Sequence, residues 1–146
     1  MAEVCDAASA LCAEGELSLE RLSGEVERVL AAEEARRAAV ERLRVAEPSG
    51  WERQAEYLQE RSGWTALLDL MGWLVGERVD AALHRALSDP DLRLKAFAVA
   101  ALVRRGSEVE PRHLAQIEND PDLRAWLQSR LSGPGRQVGP SASNDP

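Results

Sequence analysis

SDPDLRLKAFAVAALVRRG, residues Ser88 to Gly106, holds in one stretch a turn, a helix start, four turns of apolar helix and a stop. Asp89 suits the N-cap, where a carboxylate accepts from the free N–H groups of a first turn. Pro90 then falls at the first helical position, where its fixed φ helps and its missing donor costs little. Gly106 can close the helix in the left-handed conformation, just after Arg104 and Arg105, whose charges suit a helix C-terminus. From Leu92 to Val103 the stretch is apolar nearly all round, so it predicts a helix covered on more than one side. The pentapeptide Asp89-Pro90-Asp91-Leu92-Arg93 returns unchanged as Asp120-Pro121-Asp122-Leu123-Arg124, 31 residues later. A recurring turn and helix at that spacing is the mark of a repeat architecture.

Working outward, every neighbouring segment reads as helix. Upstream, Val79, Ala82, Leu83, Ala86 and Leu87 form an amphipathic stripe behind Gly76, a stop or kink. Trp64 to Val75 is the most apolar segment of the chain. Ser62-Gly63 predicts the end of a helix running from Trp51 to Arg61, with Trp51, Ala55 and Leu58 on one face. Glu47-Pro48-Ser49-Gly50 is a connector. Before it, apolar residues at helical spacing run from Leu19 to Leu43. A helix of that length predicts a break around Ala31–Glu34. Val4, Ala8, Leu11 and Cys12 space out a short amphipathic helix over Ala2–Ala13, broken at Gly15.

Downstream, Pro111 starts a helix with Leu114 and Ile117 inward, and the second DPDLR opens a last one running to about Leu131. Residues 132–146 are rich in Gly, Pro and Ser and read as a disordered tail. Strand-like alternation appears nowhere. The expected fold is all-α, with a helical N-terminal region over 1–77, two repeats over 78–131 and the tail.

At 146 residues the chain can bury one real core. No apolar run approaches the roughly 20 residues that span a membrane. The acidic opening lacks the basic region of a secretory signal, so the expected location is cytoplasmic. Residues 1–20 carry five acids and no base, against a net charge of −7 for the whole. An acidic chain repels phosphate backbones, which disfavours nucleic acid as a partner. Lys95 is the lone lysine beside 17 arginines. With the abundant Ala, Leu and Val, that usage suggests a GC-rich bacterial coding bias rather than anion recognition.

Asp89, Pro90, Leu92, Arg93, Ala96, Ala100, Ala101, Leu102 and Gly106 together resemble HEAT and HEAT-like repeats, including those of the phycobilin-lyase type. The second unit matches through Asp120, Pro121, Leu123 and Arg124, then departs from the pattern. A polar, shortened last repeat suits a terminal cap. The resemblance implies a short right-handed α-solenoid of antiparallel helix pairs, with turn Asp and Arg residues of adjacent repeats hydrogen-bonded in a ladder. Arg93 would then reach Asp120 or its turn. It assigns Asp89, Pro90, Arg93, Gly106, Asp120, Pro121 and Arg124 to the fold.

Catalytic chemistry finds little support. Cys5 and Cys12 are too far apart along a helix to bridge and lack further ligands for zinc. His84 and His113 have no nucleophile at a suggestive spacing. No phosphate loop, metalloprotease motif or nucleophile elbow occurs. No cofactor and no metal are expected. Four tryptophans outnumber Phe97 and Tyr57 together. Trp64 and Trp73 read first as core and, in a sharper reading, as anchors for a partner, since exposed Trp commonly serves as a hot spot. Arg93 and Lys95, with Arg104 and Arg105, make the local basic cluster. The expected function is a non-catalytic protein-binding module, an adaptor or an immunity-type regulator, using Trp64, Trp73, Arg93 and Lys95. The alternative is an enzyme on a HEAT-like scaffold, resembling DNA glycosylases for alkylated bases or phycobilin lyases. The glycosylase-like reading needs an aromatic and carboxylate pocket, for which Trp64, Trp73 and Asp69 are the available residues.

Overall fold

The computed structural model describes residues 25–132. The expected helix over Ala2–Ala13, the stretch before Glu25 and the tail beyond Ser132 lie outside them. The described residues form six α-helices joined by turns and one 3-10 turn, with no strand among them. None of these helices is long and apolar enough to cross a membrane.

Helix α1 spans Val26–Ala46 without interruption. The expected break at Ala31–Glu34 is absent, because that stretch, Ala-Ala-Glu-Glu, is made of strong helix formers. Glu33 is moreover held inside by a hydrogen bond from Trp64 Nε1, at 3.0 Å. The helix stops at Glu47, whose backbone at φ −141° and ψ 82° has left the helical region that a following proline disfavours. Gly50, at φ +108°, turns the chain into the 3-10 turn Trp51–Arg53.

Helix α2 spans Ala55–Met71 and runs straight through Ser62-Gly63, the expected stop. Gly63 serves packing instead of termination. A Cβ there would stand 2.9 Å from Cζ of Arg36, so the missing side chain makes room for a guanidinium from α1. From Gly63 to Met71 the helix is buried on every side, with Trp64, Leu67, Leu68 and Met71 among the largest enclosed side chains. Gly72 repeats the device against the other neighbour. A Cβ at Gly72 would meet Cα of Ala101 at 3.0 Å.

Helix α3 spans Glu77–Ala86 and starts from Gly76 at φ +131°. Helix α4, Leu92–Arg104, packs against α2, α3, α5 and α6, as its all-round apolar surface requires. It ends in a Schellman motif. Gly106, at φ +74°, donates to Val103 O at 3.0 Å, and Ser107 N donates to Leu102 O at 3.0 Å. Helices α5, Pro111–Glu118, and α6, Pro121–Leu131, follow the expected bounds.

The two DPDLR copies do not start their helices alike. In the second, Asp120 is the N-cap and Pro121 the first helical residue. In the first, the cap is Asp91 rather than Asp89, and the helix begins at Leu92. Asp89 still accepts from Asp91 N at 2.8 Å, but Arg44 of α1 grips both its oxygens at 2.9 and 2.7 Å. Asp91 then caps through Arg93 N at 2.9 Å. The expected Arg93–Asp120 bond is not formed. Arg93 makes no ion pair among the described residues, and the turn acids are met from behind by Arg44 and Arg61.

Candidate functional site

Asp69 sits in the most apolar segment of the chain, and a lone carboxylate there must be paired to be tolerated. It is supplied from two other helices. Arg104 Nη1 of α4 lies 3.2 Å from Oδ1 and also donates to the Asp69 carbonyl at 3.2 Å. Arg130 Nη2 of α6 bonds Oδ2. The carboxylate, 4% exposed, therefore ties α2, α4 and α6 together.

Aromatic rings frame the two guanidinium groups. Arg104 lies 4.6 Å over the ring of Trp73, and Arg130 lies 5.9 Å from that of Trp126. Trp126 in turn meets Phe97 of α4 at 4.5 Å between centroids. Trp73, Phe97 and Trp126 are each half-buried, and Arg130 is exposed. Nε1 of Trp73 has no acceptor among the described residues. Half-buried aromatics beside two arginines that share one fixed carboxylate, leaving a positive charge over, make a surface rich in the residue types that dominate binding energy.

A second polar cluster holds the opposite end of these helices. Tyr57 donates to Asp91 Oδ2 at 2.5 Å and accepts from Arg44 Nη2 at 3.0 Å, while Arg61 reaches Asp91 at 3.3 Å. Burial and the bond to Asp91 push the Tyr57 phenol up, so it stays a donor. Burial works against the Arg44 charge, but Asp89 and Tyr57 outweigh it and hold the guanidinium protonated. Arg44 also lies 4.6 Å over the Trp51 ring. This cluster is consumed by internal bonds and locks α1, α2 and the α3–α4 turn together.

An open groove of about 640 Å³ runs between the start of α3 and the turn after α4, lined by Asp80, His84, Arg105 and Ser107. Ser107 Oγ donates to the Asp80 carboxylate at 3.0 Å, and His84 Nδ1 faces the Asp80 carbonyl at 2.9 Å, so the imidazole is engaged along its own helix rather than at the hydroxyl. On α5, burial and the charges of Arg112 and Lys95 lower the His113 pKa. Among the described residues, no group of three or more His, Cys, Asp or Glu is arranged to hold a metal.

The four partner-binding candidates do not share a surface. Trp64 is 1% exposed and spends its N–H on Glu33, in keeping with its first reading as core. Trp73 is at the surface beside Arg104. Arg93 is exposed, and at about 100° per residue it falls within about 40° of Phe97 and Arg104 on α4. Lys95 falls about 200° from Arg93, on the far side, where it bonds Gln116 of α5 at 2.6 Å. Arg130 and Trp126 complete the surface and were not singled out in the sequence for binding. The available signal was Asp69, an acid in an apolar run that had to find cations.

Comparison of the chain with family models, with curated proteins and with solved structures found no match.

Proposed function

We propose that this chain is a non-catalytic, HEAT-like protein-binding module, a short right-handed α-solenoid built from the pairs α1/α2, α3/α4 and α5/α6. Support for the stacking comes from the contacts. Each pair packs internally, and α2, α4 and α6 touch in series. Neighbour-only packing of that kind is the economy of a repeat protein.

The observation that carries the function is Asp69 holding Arg104 and Arg130 beside Trp73, Phe97 and Trp126, on a surface made by α2, α4 and α6. Preset side chains lose little freedom on binding, which favours affinity. The partner is another protein, presenting an apolar group to the aromatics and acids to Arg93 and Arg130. The net charge of −7 argues against nucleic acid. The enzyme-scaffold alternative is weakened at its centre, because Asp69 is spent on two arginines and Trp64 is enclosed.

Affinity purification from the native cell with tagged full-length chain tests the proposal. Trp73→Ala and Arg93→Glu, once circular dichroism shows them folded, should each lose one stoichiometric protein partner. Lys95→Glu, on the other side of α4, should keep it. A partner lost only in Lys95→Glu, or a pigment or nucleic acid in its place, would overturn the reading.

A further inference from the structure

A groove of about 240 Å³ opens between α1 and α3, away from the α2–α4–α6 surface. Glu33 of α1 borders it and is 2% exposed. Taking a carboxylate out of water is costly, and the protein's own partners recover only part of that cost here. Oε1 accepts from Trp64 Nε1 at 3.0 Å and lies 3.9 Å from Arg37 Nε, whereas Oε2 has no hydrogen bond among the described residues. Burial outweighs these contacts and holds the Glu33 carboxyl above its usual range. A buried acid with a shifted pKa and an unused oxygen, beside a cavity, is a common element of binding sites.

Charges of both signs line the groove, and their pairing decides what it can take. Arg78 of α3 is already matched by Glu27 in an exposed pair. That leaves Glu33 and Glu34 on the α1 side and Arg85 on the α3 side. Arg85 is near enough for its charge to act on Glu33, yet the two do not meet as an ion pair. Opposite charges held apart across an open space leave a gap that a dipolar molecule closes. We propose that the groove binds a small zwitterion, an α-amino acid with a short apolar side chain. Its ammonium donates to Glu33 Oε2, its carboxylate accepts from Arg85, and its side chain lies against Leu30, Ala81 and Ala82. Both charges enter the selection. A lone anion would meet two glutamates, and a lone cation would meet Arg85. The space also limits size, being below the roughly 300–1,000 Å³ of pockets for larger ligands. This site is separate from the partner surface and does not rest on it.

The Trp64 indole N–H, bonded to Glu33, reports occupancy in the full chain. In ¹H–¹⁵N spectra, L-valine should shift the Trp64 indole resonance saturably in the millimolar range. Isobutylamine and isovalerate are the same molecule without its carboxylate and without its ammonium. Each should bind at least about tenfold more weakly. Glu33→Gln keeps the acceptor for Trp64 but not the charge, so it should weaken valine by about tenfold or more and not weaken isovalerate. Arg85→Ala should bring valine down to the level of isobutylamine without weakening isobutylamine. Ala81→Trp, which fills the groove without touching its charges, should abolish valine binding. No shift with valine, equal affinity in wild type and Glu33→Gln, or valine binding no tighter than isovalerate overturns the proposal.

Discussion

Alanine at Asp89 and alanine at Asp120 are the same change in the same pentapeptide, and the structure makes their costs differ. Asp120 is a cap, accepting from Asp122 N at 3.0 Å and Leu123 N at 3.1 Å. Its loss should cost about 1 kcal/mol, the usual value of an N-cap. Asp89 also accepts one backbone N–H, but in addition it neutralises Arg44 through two bonds. The pair is largely enclosed, with side chains 14% and 8% exposed. Breaking a buried pair from one side costs about 3–5 kcal/mol, because the abandoned charge stays buried. Arg44 keeps Tyr57 and the Trp51 ring, which places Asp89→Ala at the lower end, about 3 kcal/mol. In a domain of this size that is a fall in Tm of roughly 9–14 °C, against roughly 3–5 °C for Asp120→Ala. Urea unfolding followed by circular dichroism measures both, provided the m-value is unchanged. The cause is separable. In an Arg44→Met background the cost of Asp89→Ala should shrink to about 1 kcal/mol, that of losing the backbone acceptor alone. Equal costs at the two sites within about 0.5 kcal/mol, or no coupling to Arg44, would refute the assignment of Asp89 to a buried ion pair.

Glu33→Gln should stabilise the protein near neutral pH. Burial raises the carboxyl pKa above its usual 4.5, by more than Arg37 and the Trp64 N–H hold it down. The stability tied to the neutral acid is thus fully present below about 4.5 and lost as pH rises through the folded-state value. Glutamine keeps the acceptor for Trp64 and never ionises, so its advantage in thermal melts should be largest near pH 8 and vanish below about pH 4. An advantage independent of pH would refute the cause. Gly63 within α2 and Gly72 just past its end, both buried, should also differ. Gly63→Ala shifts only the end of the Arg36 side chain, which Glu60 meets at 2.8 Å, and gains helix propensity, so it should be close to neutral in urea midpoint. Gly72→Ala drives a methyl against the Ala101 backbone and should cost about 1–3 kcal/mol. The reverse order would mean that α2 and α4 are not in close contact there.

Helix positions were legible where local signals stood alone. Pro111, the second DPDLR and Gly106 act through backbone geometry within a turn, and each does in the structure what its residue type implies. Local reading failed where a distant side chain competed. Asp89 was displaced from its cap by Arg44, 45 positions away. Gly63 looked like a stop because stop and close approach require the same residue, and only Arg36 distinguishes them. The break expected in α1 rested on helix length, although its residues are good formers throughout. In the candidate site, Trp73 and Arg93 could be named in advance as single residues. Their companions Trp126 and Arg130 arrive from α6 by tertiary packing, and Lys95 leaves because two residues along a helix is more than half a turn.

The carboxylates that local reading could not place also solve a problem set by composition. Helix α4 presents Ala96, Ala98, Ala100 and Ala101 to its neighbours, all buried. Small, similar side chains allow close approach but give little shape by which one rotation or slide is preferred over the next. Directional bonds provide what the alanines lack. Asp69 accepts from α4 and α6 at one end of the stack, and Asp89 and Asp91 accept from α1 and α2 at the other. Buried ion pairs seldom add net stability over apolar packing, so their place in an alanine-rich core is better explained by register than by strength. That register also sets the candidate surface. The arginines that fix Asp69 are the same ones that lie against Trp73 and Trp126, so the bonds that align the three helices also position the groups offered to a partner.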